Sequence, residues 1–432
     1  MARSIGSWLM LARTNPVGFE RELWHQAKAS KGAGAGGRRA AKVRARRLRK
    51  AALSVGFVRT TTARQPGRVT SVIVIPPQST HDTFASADMV RTASSFGSAL
   101  VSDLQALLPD LEEPFESTSG YMRSAEQRSS QRHPYFGSVP RSGVAVINNL
   151  DNPGRRKLQA NRYTILDDRI IRMRYQVITA DQSSNLNTNI DGSEKALVDV
   201  PQDYVVGVID SGINEKHPEF QKNTVAAYLD PQQRRQGKPE KRRDYGTHGT
   251  AVCSLISGLT CGRAPGVRLA VAAALSSQKG TAGRVSDVVS AYNWLLGLTP
   301  EPRVINMSLQ GEGPYEELFA TLRASRERDI TNVAAVGNLD AVSKPAEPGA
   351  YPFCVAVGAL DGDKPWRGNA TGMVVWDGVA YQKPDVLADG VNVRVAHVKG
   401  GYAVQTGSSM AAAVHTGTLA AKAIAPHPAA HV

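Results

Sequence analysis

Apolar residues in this 432-residue chain fall into short unbroken runs separated by stretches at helical spacing. That alternation predicts an α/β fold, a mostly parallel sheet with helices on both faces. The runs at 204–210, 303–309, 332–338, 354–359 and 391–398 are rich in Val, Ile and Ala and predict strands, the first with the near-continuous Val/Ile pattern of a strand covered on two sides. Helical spacing occupies 285–296 and 315–328, and an Ala-rich helix covers 410–424. Upstream, 69–76 predicts a buried strand, 85–108 a helix stopped by Pro109, 143–148 a second strand, 152–161 a short helix and 162–172 a third strand region. A polar stretch rich in Ser, Arg and Pro, 111–141, reads as an exposed insertion in this small α+β module. Residues 179–201 turn to Asp, Gln, Ser and Asn, the composition of a linker. The chain therefore divides into an N-terminal extension (1–68), the module (69–176), a linker (177–200) and a large final domain (201–432).

Charge sharpens the first of these divisions. Residues 1–68 hold 16 of the 52 Lys and Arg but two of the 38 acids, so the whole formal net charge of +14 lies there. Its centre, from Arg38 to Lys50, follows a Gly/Ala run. It reads either as a solvated tail, partly disordered or helical, or as an arm for an anionic partner: nucleic acid, a membrane surface or an acidic protein. No aromatic is interleaved with the cluster, so base stacking is not supported. No run approaches the length of a transmembrane segment. The apolar stretches at 5–12 and 51–58 lack the form of a signal peptide, and a cytoplasmic location is expected over secretion. Cys253, Cys261 and Cys354 have no metal-ligand spacing and are expected to behave as small buried hydrophobes.

Candidate chemistry sits at the ends of the predicted strands. Asp210 closes a buried run, the place of either a turn acid or a carboxylate in the crevice where such sheets bind ligands. His248, between Gly246-Thr247 and Gly249-Thr250, opens an apolar helix; by itself it is equally a helix-start cap or a surface residue. In Gly407-Ser-Ser-Met-Ala-Ala-Ala413, Gly407 allows a sharp turn, Ser408 can cap the helix, and Ser409 occupies the first turn at the positive end of the dipole. The same string is also an ordinary N-cap. Asn338 ends another strand in an amide. Together the four divide the labour of acyl transfer: nucleophile, general base, orienting carboxylate and oxyanion donor, with the Ser409 N–H as a second donor. Spacing alone does not bring them together.

The motifs that carry these residues, Val208-Ile-Asp-Ser-Gly-Ile213 with His217-Pro218, Gly246-Thr-His-Gly-Thr250, Ile305-Asn-Met-Ser-Leu309, Ala335-Val-Gly-Asn338 and Gly407-Ser-Ser-Met-Ala-Ala412, resemble the successive signatures of subtilisin-like serine peptidases. They follow the Asp, His, Ser chain order of that family. Tyr351-Pro-Phe-Cys-Val-Ala-Val-Gly358 and Lys383-Pro-Asp-Val-Leu387 add to the resemblance, which spans roughly 203–425. It implies a subtilisin-like fold and an endopeptidase acting on proteins or peptides through Asp210, His248 and Ser409, with Asn338 on the oxyanion. It implies that Ser308, Leu309, Gln310 and Gly311, facing Ala335, Val336 and Gly337, wall the primary specificity pocket, and that the first segment pairs with substrate as an added strand. Residues 346–348 fall near the pocket floor, and Glu347-Pro348 is a candidate cis peptide. Whether Glu347 enters the pocket or is an exposed loop acid stays open. The module becomes propeptide-like, an inhibitor and folding aid, with processing in 177–199.

The chain also departs from the family pattern. Ser408 replaces a customary Thr, Ala413-Val414 replace Pro-His, and Asp389 stands where Pro is usual. The connection 259–265 lacks the loop that often carries calcium, so neither metal nor cofactor is expected. Only 23 residues follow Ser409, fewer than the family's further elements over this helix require. A second function is therefore weighed beside the endopeptidase: a catalytically impaired binding or regulatory protein on the same scaffold, recruited through the basic arm.

Overall fold

Continuous Val/Ile runs bury both faces of a strand, and the computed structural model shows what covers each. It describes residues 71–77, 93–112, 134–172, 176–178, 203–235, 240–311, 313–339, 344–376 and 378–425. The basic extension, residues 179–200 of the linker and most of the polar insertion lie outside the described residues, and the first two linker positions belong to a strand.

The upstream module contains β1 (Ser71–Ile75), α1 (Ala93–Leu107), β2 (Tyr135–Phe136), β3 (Ala145–Asn148), α2 (Asn152–Ala160) and β4 (Thr164–Asp167). Its strands form an antiparallel sheet in the order β2-β3-β1-β4. Two further short strands, β5 (Ile170–Arg172) and β6 (Gln176–Ile178), leave this sheet. The final domain follows as β7 (Val205–Asp210), β8 (Val225–Leu229), α3 (Pro231–Arg235), α4 (His248–Ser257), β9 (Arg268–Ala273), β10 (Ala282–Arg284), α5 (Val285–Leu295), β11 (Val304–Met307), α6 (Glu316–Arg323), β12 (Thr331–Ala335), β13 (Cys354–Asp361), β14 (Lys364–Pro365), β15 (Gly372–Trp376), β16 (Val379–Lys383), β17 (Val386–Asp389), β18 (Val393–Ala396), β19 (Tyr402–Thr406) and α7 (Ser408–Ile424).

The central sheet runs β14-β13-β12-β11-β7-β9-β8, with β17 also on β13. All of its pairs are parallel except β13 with β14. In β7, Val205 and Ile209 join the apolar cluster that includes α5 and α6, while Val206 and Val208 join the one that includes α4 and α7. Helices therefore cover both faces, as expected. The three cysteines are buried free thiols.

The same alternation ties the module to the domain. Val72 and Val74 pack under α1 with Leu100 and Leu104, whereas Ile73, Val144 and Val146 enter the cluster of α5 and α6. The unbroken run at 71–75 is apolar because each of its faces meets a different pair of helices. On α5, Asn293 donates to the Val144 carbonyl (3.0 Å) and accepts from the Ser142 N–H (2.7 Å).

Three expectations need correction. The region 162–172 is two strands, because Asp168 and Arg169 between them turn onto the final domain. The end of the polar insertion is structured: Tyr135 and Phe136 form β2 against β3, and Phe136 is buried. Ser408 does not cap α7; Gly407 is the N-cap residue, and no side chain caps that helix. The amphipathic edge strand β8 and the β15–β16 hairpin were not expected from the sequence.

Asp168 acts as a cap borrowed from the module. It accepts from the Ser286 N–H (3.0 Å), the Ser286 hydroxyl (2.8 Å) and Arg284 (3.1 Å) at the start of α5. Burial, then the facing Asp287, pushes its carboxyl up to about 6, although the Ser286 bonds and Arg284 act in the opposite direction. Asp287 is itself paired with Arg235. A carboxyl whose folded pKa is raised stabilises the docked state fully below its free value of 3.8 and loses that contribution as pH rises through about 6. In Ser409→Ala protein, stability measured by thermal unfolding should therefore fall, relative to the same protein with Asp168→Asn, between about pH 4 and pH 7, by at most about 3 kcal/mol. Parallel curves across that range would contradict this role for Asp168.

Candidate functional site

Asp210 is the last residue of β7 and His248 the first of α4, so the carboxyl end of the sheet meets the start of a helix. Both side chains are wholly buried, and His248 Nδ1 lies 2.9 and 3.0 Å from the two Asp210 carboxylate oxygens. Asp210 Oδ1 also accepts from the Ser211 N–H at 2.7 Å, which fixes the carboxylate plane. Asp244 then fastens the two elements together. One of its oxygens takes the Ser211 hydroxyl (2.7 Å) and the Gly246 N–H (2.9 Å); the other takes the Thr250 N–H (2.7 Å) and hydroxyl (2.6 Å). The Ser211 hydroxyl in turn accepts from the Gly249 N–H at 2.9 Å. This closeness requires glycine at 249, where a Cβ would sit 2.1 Å from the Gly212 carbonyl oxygen.

Helix α7 brings in the serine. It shares a core with α4, where Ala251, Val252 and Leu255 join Met410, Ala413 and Val414. Gly407 enters the helix at φ 153°, a conformation open to glycine, with the Asn338 amide facing the place a Cβ would occupy. The Ser409 hydroxyl donates to the Ser308 carbonyl at 3.2 Å, and the Ser308 hydroxyl donates to the Ser409 carbonyl at 2.8 Å. Beneath them Asn306 donates to the Ser308 hydroxyl and accepts from Thr416, both at 3.0 Å, so a buried polar chain ties the first and third turns of α7 to β11.

Asn338 is held by Ser408. Its Oδ1 accepts from the Ser408 N–H (3.0 Å) and the Ser408 hydroxyl (2.9 Å), while that hydroxyl accepts from the Gly337 N–H (3.2 Å). A backbone N–H can only donate, so the oxygen must face it; Nδ2 is left on the opposite side as a donor. The Asn338 N–H donates to Gln310 Oε1 at 3.1 Å.

The two segments expected to wall a pocket thus meet through Gln310 and Asn338. The third closes on both: the Ala346 N–H donates to the Val336 carbonyl (2.9 Å) and the Gly311 N–H to the Glu347 carbonyl (2.8 Å). The Glu347-Pro348 bond is cis, and Glu347 is buried rather than an exposed loop acid.

β5, upstream of the linker, and β6, which runs into its first two residues, flank these residues. β5 pairs antiparallel with β10, Ile171 opposite Gly283. The turn before β10 lies against the Asp210–His248 pair: a Cβ on Gly280 would meet the Ser211 Cβ at 2.8 Å, and Leu275 donates to the Asp210 carbonyl. On the other side β6 pairs antiparallel with β19, Gln176 opposite Thr406, three residues before Ser409.

The structure therefore brings Asp210 to His248, and Ser409, Asn338, residues 308–311 and residues 335–337 to one another. The sequence reading missed Asp244, Ser408 in its hold on Asn338, and the Asn306–Thr416 pair. Asp244 had a local signal, an acid two residues before Gly246-Thr-His. Among the described residues, no group of three or more His, Cys, Asp or Glu is arranged to hold a metal ion, and no helix is long and apolar enough to cross a membrane.

A model of the Subtilase family matches residues 202–429. Subtilisin E of Bacillus subtilis (strain 168) is 28% identical over 231 residues, which are 52% of this chain and 56% of that protein. The membrane-bound transcription factor site-1 protease of Homo sapiens is 28% identical over 229 residues, 50% of this chain and 20% of that one. A solved cold adapted subtilisin-like serine proteinase is 26% identical, with TM-score 0.41, over 56% of this chain and 80% of its own. The chain thus spans about half of the first of these relatives and a fifth of the second.

Proposed function

Because the match over more than half its length places this chain in the subtilase family, we propose that it is a serine endopeptidase that hydrolyses peptide bonds through an acyl-enzyme. The observation that carries the proposal is His248 Nδ1 seated on both Asp210 oxygens, on an element that packs against the serine-bearing helix.

Each group has one task. The Ser409 hydroxyl turns from the Ser308 carbonyl toward the other imidazole nitrogen, Nε2, and attacks the substrate carbonyl while His248 takes its proton. Asp210 keeps the proton of Nδ1 in place and stabilises the imidazolium that forms. The tetrahedral oxyanion receives the Asn338 amide and the Ser409 N–H at the α7 N-terminus. His248 then returns the proton to the leaving amine, and water repeats the sequence on the acyl-enzyme. Asn338→Leu should lower kcat by about 10²–10³-fold with KM little changed, the magnitude known for the matching donor of subtilisin. An unchanged kcat in steady-state peptide hydrolysis would remove Asn338 from this role.

The proposal includes self-processing. β5 ends at Arg172 beside β10, whose preceding turn lies against Asp210 and Ser211, and β6 begins at Gln176 beside β19, opposite Thr406 and three residues before Ser409. The bond cleaved is therefore one between Arg172 and Gln176, upstream of the 177–199 stretch that composition suggests. The test is incubation of purified full-length chain and its Ser409→Ala variant with an unfolded protein substrate, followed by peptide mapping. Substrate hydrolysis and a cut between 172 and 176, both absent from the variant, are expected. A folded wild-type chain that cleaves nothing would contradict the reading and favour a binding role.

A further inference from the structure

Arg169, just before β5, is held more elaborately than an interface residue needs. Its Nη2 lies 2.8 and 2.9 Å from the two carboxylate oxygens of Glu317, and its Nε lies 3.2 Å from Oε1. The guanidinium carbon stands 4.3 Å from the centroid of the Tyr315 ring. The Glu317 side chain is wholly buried while that of Arg169 keeps 35% of its exposure, so the domain supplies the buried half of the pair. Burial pushes the Glu317 carboxyl up, and Arg169 pulls it back down.

If this chain cleaves other polypeptides, as proposed above, β5 must leave β10 and Arg169 leaves with it. Glu317, the second residue of α6, then loses its ion-pair partner and the Tyr315 ring loses its cation. A charge left so costs far more than one that is paired. A planar fork with donors on adjacent nitrogens restores both the ion pair and the ring contact; a lysine restores less.

We infer that Tyr315 and Glu317 form a receptor for an arginine side chain of the substrate, at the residue immediately before the three that pair with β10. This subsite rests on the endopeptidase reading and on β10 serving as a substrate-pairing edge. The preferred substrates are polypeptides with arginine at that position.

The test uses the full chain and two internally quenched peptides copying residues 168–178. One keeps arginine at the place of Arg169; the other carries citrulline there, of the same shape and uncharged. The arginine peptide should be cleaved with a kcat/KM about 10–100-fold higher, mostly through KM. Glu317→Gln should bring the two peptides together, by raising the KM of the arginine peptide. Equal wild-type values for two cleaved peptides would overturn the subsite, whether or not the variant folds. So would a preference that survives Glu317→Gln. Cleavage of neither peptide would overturn the endopeptidase reading and the subsite with it.

Discussion

Ser409→Ala is expected to lower kcat on a peptide substrate by about 10⁶-fold, the scale known for the nucleophile of subtilisin. In the proposed mechanism this hydroxyl carries the bond that forms with substrate. His248→Ala should cost about as much, and the double variant little more, because a base without a nucleophile has no proton to take. The Ser409 hydroxyl makes one hydrogen bond, to the Ser308 carbonyl, so the thermal midpoint of the alanine variant should stay within a few degrees of wild type. Burst and steady-state kinetics check the first claim and calorimetry the second. Additive losses in the double variant would show that the two residues do not act as a unit.

Asp210→Asn should lower kcat by about 10⁴-fold with the fold intact. Both carboxylate oxygens face Nδ1 and one also accepts from the Ser211 N–H. An asparagine keeps its oxygen on that N–H and turns its NH₂ toward the imidazole, so Nδ1 must accept and Nε2 carries the proton. A protonated Nε2 cannot take the proton of Ser409. Rate measurements on the variant should show the loss in kcat far more than in KM; a loss confined to KM would mean that Asp210 serves substrate binding instead.

The sheet was legible because its strands are buried twice, which writes them as runs dominated by Val, Ile and Ala at 205–210, 304–307 and 331–335. The run at 71–75 carried the same signal; what the sequence did not name was the second cover, helices α5 and α6 of another domain. Capping rules are local, so Ser408 read as a cap, whereas its hydroxyl bonds Asn338, 70 residues away. Asp168 and Arg169 read as part of one strand region for the same reason, their partners lying 118 and 148 residues downstream. β8 was missed because it is short, partly exposed and bulged between Val225 and Ala227. Chemistry at strand ends was readable as a set of residue types, and the family resemblance supplied the order in which they meet.

The central claim is that Ser409 is an activated nucleophile. It is tested most directly by treating purified full-length chain, and its Ser409→Ala variant, with a fluorophosphonate and measuring intact mass. One added probe on Ser409 of the wild type, a mass loss matching a cut between Arg172 and Gln176, and neither change in the variant are predicted. Folded wild-type protein that takes up no probe would contradict the account.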